Sequence, residues 1–187
     1  MDEFLVWAVE LAGEKLEEAL SRRWAHVLGV GRRAQIAAPL FSPDDGELLI
    51  GAALLHDVGY APGLVDMGFH SLDGARYLQS VSAPDRLVHL VAHHSCAILE
   101  AELRTLSSEL AEFNDERTVL RDALWWADMT TTPDGSETTA AERVVETQRR
   151  YGPDHLVSQF IRRAWNDLYA AVERTEMRLA AAGIVHK

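Results

Sequence analysis

His56 and Asp57 stand side by side in Ala52-Ala53-Leu54-Leu55-His56-Asp57-Val58-Gly59-Tyr60, at the end of an apolar run. An ionised carboxylate in a dry core is costly unless it is paired or bound to a metal. Taken alone, such a dipeptide is most often a helix end whose two side chains reach water. The rest of the chain argues otherwise. His26 lies upstream, and His70, His94 and Asp128 follow, each beside an apolar stripe. His94 is in phase with Leu87, Leu90 and Val91, Asp128 with Leu124 and Trp125, and His56 with Leu49, Ala52 and Ala53. A single buried histidine is ordinarily a hydrogen-bonded core residue. Four inward histidines and two inward aspartates in one small protein are hard to explain that way. Imidazole and carboxylate together suit Fe, Mn, Zn or Ni. His93 competes with its neighbour as a ligand, but adjacent helical residues point about 100° apart, and the apolar phase favours His94.

The elements that must position these residues read as helices, and strand signals are almost absent. Residues 3–12 and 14–20 have helical patterning with a break expected near Gly13, and Ser21 is placed to cap a helix running to about residue 38. Ser42-Pro43-Asp44-Asp45 combines a hydroxyl cap, a first-turn proline and acids facing the positive end of the helix dipole. The helix it starts runs through His56 to near Gly59. It is apolar nearly all round, which puts it at the centre of a bundle. A loop from Tyr60 to Gly68 follows, its glycines and Pro62 suiting a static connection or a lid. Helices are then expected at about 70–80, 84–95, 97–112, 116–129, 138–150 and 153–182, the last ending at Gly183. With no internal repeat and no low-complexity linker, the expected architecture is an all-α, single-domain helical bundle over residues 1–187.

Composition narrows the function classes. The 187 residues carry 18 basic and 29 acidic side chains, a formal net charge of −11. A surface that negative repels polyanions, so no nucleic-acid partner is expected. A small phosphorylated molecule could still bind beside a metal, whose charge would compensate the repulsion. The lone Cys96 gives no disulfide framework and fits a reducing cytoplasm. Cys96 is expected to be a small buried hydrophobe, neither ligand nor nucleophile. Asp2 and Glu3 are wrong for a signal peptide, and the longest apolar run, Leu48 to Leu55, is too short to span a bilayer. The expectation is a cytoplasmic protein with no membrane partner.

The order His26, His56-Asp57, Asp128 resembles the HD superfamily of metal-dependent phosphohydrolases. The flanks agree: Arg23-Trp24-Ala25-His26-Val27-Leu28-Gly29-Val30 is similar to the family's first motif, and Ala53-Leu54-Leu55-His56-Asp57-Val58-Gly59 to its second. The similarity spans roughly residues 20–132, with the helices of about 138–182 expected to pack on that core. The additional pair His70 and His94 resembles the branch that binds two metals. His70-Ser71-Leu72-Asp73-Gly74-Ala75 and His94-Ser95 are similar to segments of small bacterial dinuclear HD hydrolases that cleave diadenosine tetraphosphate. The resemblance implies a first metal held by His26, His56, Asp57 and Asp128, and a second held by His70 and His94 with Asp57 bridging. Asp57, His70 and His94 would then carry the chemistry. Two departures matter. The cyclic-di-GMP-cleaving branch has a lysine where Tyr60 stands, and the alarmone-hydrolysing branch has acids where Val58 and Gly59 stand.

What the resemblance implies is hydrolysis of a phosphate ester or anhydride, on a nucleotide or other small phosphorylated metabolite. Two divalent ions roughly 3.5–4 Å apart ionise a bridging water, which attacks phosphorus in line with the leaving oxygen. Tyr60, Arg76, Ser95, Arg104 and Thr130 are candidate substrate contacts, all near motif segments. Two other readings share the ligand set. Some HD proteins hold a mixed-valent di-iron centre and act as oxygenases, and a non-catalytic module could sense a nucleotide at the same site.

Overall fold

The computed structural model describes residues 3–185. Its elements are helices: α1 (Glu3–Leu16), α2 (Ser21–Ala37), α3 (Pro43–Leu55), α4 (His70–Ser80), α5 (Asp85–Ala92), α6 (Ala97–Arg104), α7 (Ser107–Leu110), α8 (Val119–Met129), α9 (Ala140–Tyr151) and α10 (Leu156–Ala181). Among the described residues there is no strand, only an isolated bridge between Thr131 and Glu137. The protein is all-α.

The apolar stripes explain the arrangement. Leu49, Ala52, Ala53 and Leu55 on α3 are fully buried, and α3 packs against α1, α2, α5 and α8. Trp126 on α8 is the largest fully buried side chain, and α8 is covered on its other side by α10. Apolar residues from α1 through α10 join one continuous core. Caps set several boundaries. Ser42 Oγ accepts from Asp45 N at 3.3 Å, and Thr139 with Glu142 forms a reciprocal capping box at the start of α9.

Some boundaries differ from the sequence reading. No break occurs at Gly13, because a glycine inside a helix costs only about 1 kcal/mol, and α1 runs through it from Glu3 to Leu16. Ser21 begins α2 but makes no capping bond, and Leu20 holds the cap position. α3 ends at Leu55, with a 3-10 turn over Val58–Tyr60. The expected helices 84–95 and 97–112 are each interrupted. α5 stops at Ala92, a tight turn covers His94–Cys96, and Thr105 at φ +59° separates α6 from α7.

Two glycines let the functional segments touch. A Cβ on Gly59 would lie 2.1 Å from the His70 carbonyl oxygen and 2.5 Å from Gly74 N, so only glycine lets the turn after Asp57 lie on the first turn of α4. A Cβ on Gly29 would lie 2.5 Å from the Gly135 carbonyl oxygen, so the 131–136 turn is seated directly on α2.

Candidate metal centre

Six side chains converge at the middle of the bundle. His26 comes from α2, His56 and Asp57 from the end of α3, His70 from the first position of α4, His94 from the turn after α5, and Asp128 from α8. They form two groups: His26, His56 and Asp128, then Asp57, His70 and His94, with donor atoms in each group within 4.8 Å of one another. Asp57 joins the groups. Its Oδ2 lies 3.4 Å from His56 Nε2 and 3.7 Å from His26 Nε2, and its Oδ1 lies 3.5 Å from His70 Nε2 and 3.9 Å from His94 Nε2. Each carboxylate oxygen thus faces one group, the placement a bridging ligand requires.

The backbone fixes the imidazoles. His26 Nδ1 donates to the Thr132 carbonyl at 2.9 Å, His56 Nδ1 to Ala53 at 2.7 Å, and His94 Nδ1 to Val91 at 2.6 Å. A donor proton on Nδ1 leaves Nε2 as the lone pair in the neutral ring, and all three Nε2 atoms point to the centre. His56 Nε2 is fully buried and has no hydrogen-bond partner. His70 Nε2 lies 3.1 Å from His94 Nε2, two nitrogens face to face. An orphaned Nε2 on His56 and two closely approaching ring nitrogens, framed by two carboxylates, are a donor set that fits a divalent metal.

Electrostatics agree. Burial alone would raise the carboxyls of Asp57 and Asp128, yet both are held below the usual carboxylate range. Arg23 and His56 do this for Asp57, and His26 and His56 for Asp128. Burial pushes the His70 pKa well below its ordinary value and lowers that of His94, assisted by cationic neighbours. Burial also opposes charge on His56, but Asp57 and Asp128 outweigh it and raise its pKa. Depressed acids and depressed imidazoles are the deprotonated forms that metals bind.

The turn after α5 decides between the two adjacent histidines. Ser95 and Cys96 both have left-handed backbones, φ +45° and +62°. Such conformations cost non-glycine residues of order 1 kcal/mol each. Here the surroundings enforce them: Trp125 Nε1 donates to the His93 carbonyl at 3.0 Å, and Ser95 Oγ donates to Asp128. The result sends His94 and Ser95 to the centre and turns His93 away, where its Nε2 donates to the Phe113 carbonyl at 2.8 Å. Cys96 is buried and belongs to neither donor group; burial pushes its thiol pKa up to about 12.

The HD-domain family matches residues 23–147, two thirds of the chain. The chain belongs to the HD-domain family. No curated protein and no solved structure matches it at a significant level. HD domains bind divalent metals, and the two His/Asp groups could hold a metal ion here. No described helix is long and apolar enough to cross a membrane.

A cavity opens over five of the six residues, all but His56, and is lined also by Arg23, Tyr60, Ser95, Glu100, Arg143 and Arg150, with apolar side chains of α10 opposite. Of the candidate substrate contacts, Tyr60 and Ser95 line it and three do not. Arg76 pairs with Glu112 at 3.2 Å on the outer side of α4. Arg104 is spent on Glu100 at 2.7 Å and lies over Phe69. Thr130 is buried beneath the site, accepting from Arg33 Nε and donating to the Trp126 carbonyl. Proximity in sequence to a motif does not set direction on a helix, and these three face elsewhere.

Several lining residues were missed in the sequence. Arg23 Nη1 donates to Asp57 Oδ2 at 2.5 Å, and its guanidinium lies 4.0 Å from the centre of the Tyr60 ring, which in turn stacks on His70. Its spacing was the available signal: Arg23 sits three residues before His26, on the same helical face. Glu100, Arg143 and Arg150 carry no comparable mark.

Proposed function

We propose that this HD-domain protein is a metal-dependent phosphohydrolase that cleaves a phosphate ester or anhydride of a small phosphorylated metabolite, a nucleotide among the candidates. The observation that carries the reading is the division of Asp57, one oxygen toward His26 and His56 and the other toward His70 and His94. That division supports a pair of divalent ions, Fe, Mn, Zn or Ni, with Asp57 between them. Held there by His26, His56, Asp57, His70, His94 and Asp128, such ions would supply Lewis-acid polarisation of phosphoryl oxygens and a lowered pKa for water.

The protein's own groups supply the rest. Ser95, donating to Asp128, orients that carboxylate, and the three Nδ1 bonds to carbonyls fix the imidazoles. Arg23 stands beside Asp57 with a planar, permanently charged fork suited to a phosphoryl oxygen. The net charge of −11 favours a small substrate over a nucleic acid, because a pocket made cationic by bound metal would attract a compact anion that the outer surface would repel as a polymer.

Metal analysis of anaerobically purified protein, paired with a phosphate-release screen over nucleotides and simple phosphate esters, tests this. The expected result is close to two metals per chain and release that depends on them. Oxygen uptake by an iron-loaded protein without phosphate release would assign the chain to the oxygenase group instead. Nucleotide binding without turnover in fully loaded protein would make it a sensor.

A further inference from the structure

The inner face of α9 forms a wall of the cavity with no part in holding metal. Arg143, Thr147, Arg150 and Tyr151 line it, at i, i+4, i+7 and i+8. The two arginines share one acid. Arg143 Nη1 donates to Glu146 Oε2 at 3.0 Å, and Arg150 Nε lies 3.7 Å from Glu146 Oε1, beyond hydrogen-bonding distance. Across the cavity Glu100 is paired with Arg104 at 2.7 Å and Asp128 is held by His26 and Ser95, with Arg143 adding to the positive charge around it. Among the described residues the Arg150 guanidinium is therefore left with no carboxylate at hydrogen-bonding distance, on a chain of net charge −11. The Arg143 side chain is sheltered, 11% exposed, and that of Arg150, 28% exposed, lies toward the open edge of the wall.

The wall is also built to hold its shape. Thr147 Oγ1 donates to the Arg143 carbonyl at 2.9 Å and accepts from Arg143 Nη1 at 3.4 Å, bracing that guanidinium against its own helix. Arg150 lies over the Tyr151 ring, 4.7 Å from its centre. Burial lowers the pKa of Arg150, and like charge on Arg143 and Arg23 adds to the effect. Arginines gathered on one cavity wall, one of them without a hydrogen-bonded acid, form an anion site, and their planar forks match phosphoryl oxygens.

We infer that Arg143 and Arg150 bind a second phosphoryl group of the substrate, so that the preferred substrate carries two or more, one at the His/Asp centre and another at α9. This rests on the phosphohydrolase reading and narrows it. A simple monoester would engage the centre alone.

The test is calorimetric binding to the intact protein in excess Mn, with inorganic phosphate, methylenediphosphonate and malonate as probes. Methylenediphosphonate should bind at least tenfold more tightly than phosphate. Arg143→Gln or Arg150→Gln should remove most of that preference, leaving phosphate affinity, metal content and helical content near wild type. Arg150→Lys should retain part of it, and Arg149→Gln, at an exposed position of the same helix outside the cavity lining, should retain all of it. Equal affinity for the two phosphorus probes would overturn the inference and leave the metal-centre reading intact, as would variants that weaken both equally. A preference for malonate would overturn the phosphoryl assignment. Failure of phosphate itself to bind would remove both readings.

Discussion

Replacing Arg23 with methionine removes the guanidinium paired with Asp57 while keeping an apolar stem over Tyr60. The Asp57 side chain is 4% exposed and that of Arg23 22%. Stripping the partner from a buried charge costs about 3–5 kcal/mol. His56 and His26, 3.4 and 3.7 Å from the same oxygen, soften the loss, so about 2–3 kcal/mol is expected for metal-free protein. For a chain of this length that is a fall in melting temperature of about 4–12 °C. A divalent ion against Asp57 supplies the missing charge, so the defect should shrink sharply in saturating Mn. By linkage, whatever stability the ion restores appears as tighter metal binding, and about 2 kcal/mol is about 30-fold in affinity. Leu49→Ala is the control: a fully buried side chain whose loss costs about 2–5 kcal/mol with no bearing on the ion. The assay is thermal melting with chelator and with excess Mn, combined with competitive metal titration. If Arg23→Met melts lower by the same amount in both conditions, or binds metal more weakly than wild type, Asp57 does not face a cation.

Three further outcomes follow from the geometry. His94→Ala should drop the metal:protein ratio from near two toward one, whereas His93→Ala should leave it unchanged and cost about 1–3 kcal/mol through the unpaired Phe113 carbonyl, as read by metal analysis and denaturant melts. Cys96→Ala should leave metal content and any turnover near wild type; loss of metal there would mean the turn had been misassigned. In metal-free protein His70, His93 and His94 have pKa values lowered by burial and His56 has one raised. The three lowered groups contribute stability that is lost as pH falls from their ordinary value of 6.5. His56 contributes the opposite, stability present below that value and lost as pH rises through its folded pKa. His56 offsets the lowered groups above about pH 6.5 and is protonated in both states below it, so melts with chelator should show stability falling between about pH 6.5 and 5, by at most about 4.1 kcal/mol per pH unit at about 1.36 for each of three protons. A flat or rising profile there would contradict the buried neutral imidazoles.

The helices and the six convergent residues were legible because each rests on a local signal. Ser42-Pro43 marks the start of α3 by a cap that the structure contains, and the 3.6-residue period of Leu49, Ala52, Ala53 and His56 gives its inner face. The interruption after α5 was not legible, for a definite reason. Sharp turns are read in sequences from glycine or proline, and this one runs through Ser95 and Cys96 in left-handed conformations. Tertiary bonds, among them Trp125 to the His93 carbonyl and Ser95 to Asp128, hold them there. Helical phase chose His94 over His93, yet α5 ends before either residue and the turn sets their directions.

The arginines of α9 escaped notice for a deeper reason. A polar stripe on an amphipathic helix ordinarily faces water, and nothing in Arg143-Val144-Val145-Glu146-Thr147-Gln148-Arg149-Arg150 separates a solvated face from a cavity wall. What separates them is the docking of α9 and α10 over the open side of the His/Asp centre, with α10 packed along α8 and against α9. That docking is specified by residues of another helix, among them Phe160, Ala164, Leu168 and Ala171 on the buried stripe of α10. The ligating residues sit in segments whose own pattern declares them buried. The cavity wall is assembled from a helix whose pattern declares it exposed, and its role follows from where α10 carries it.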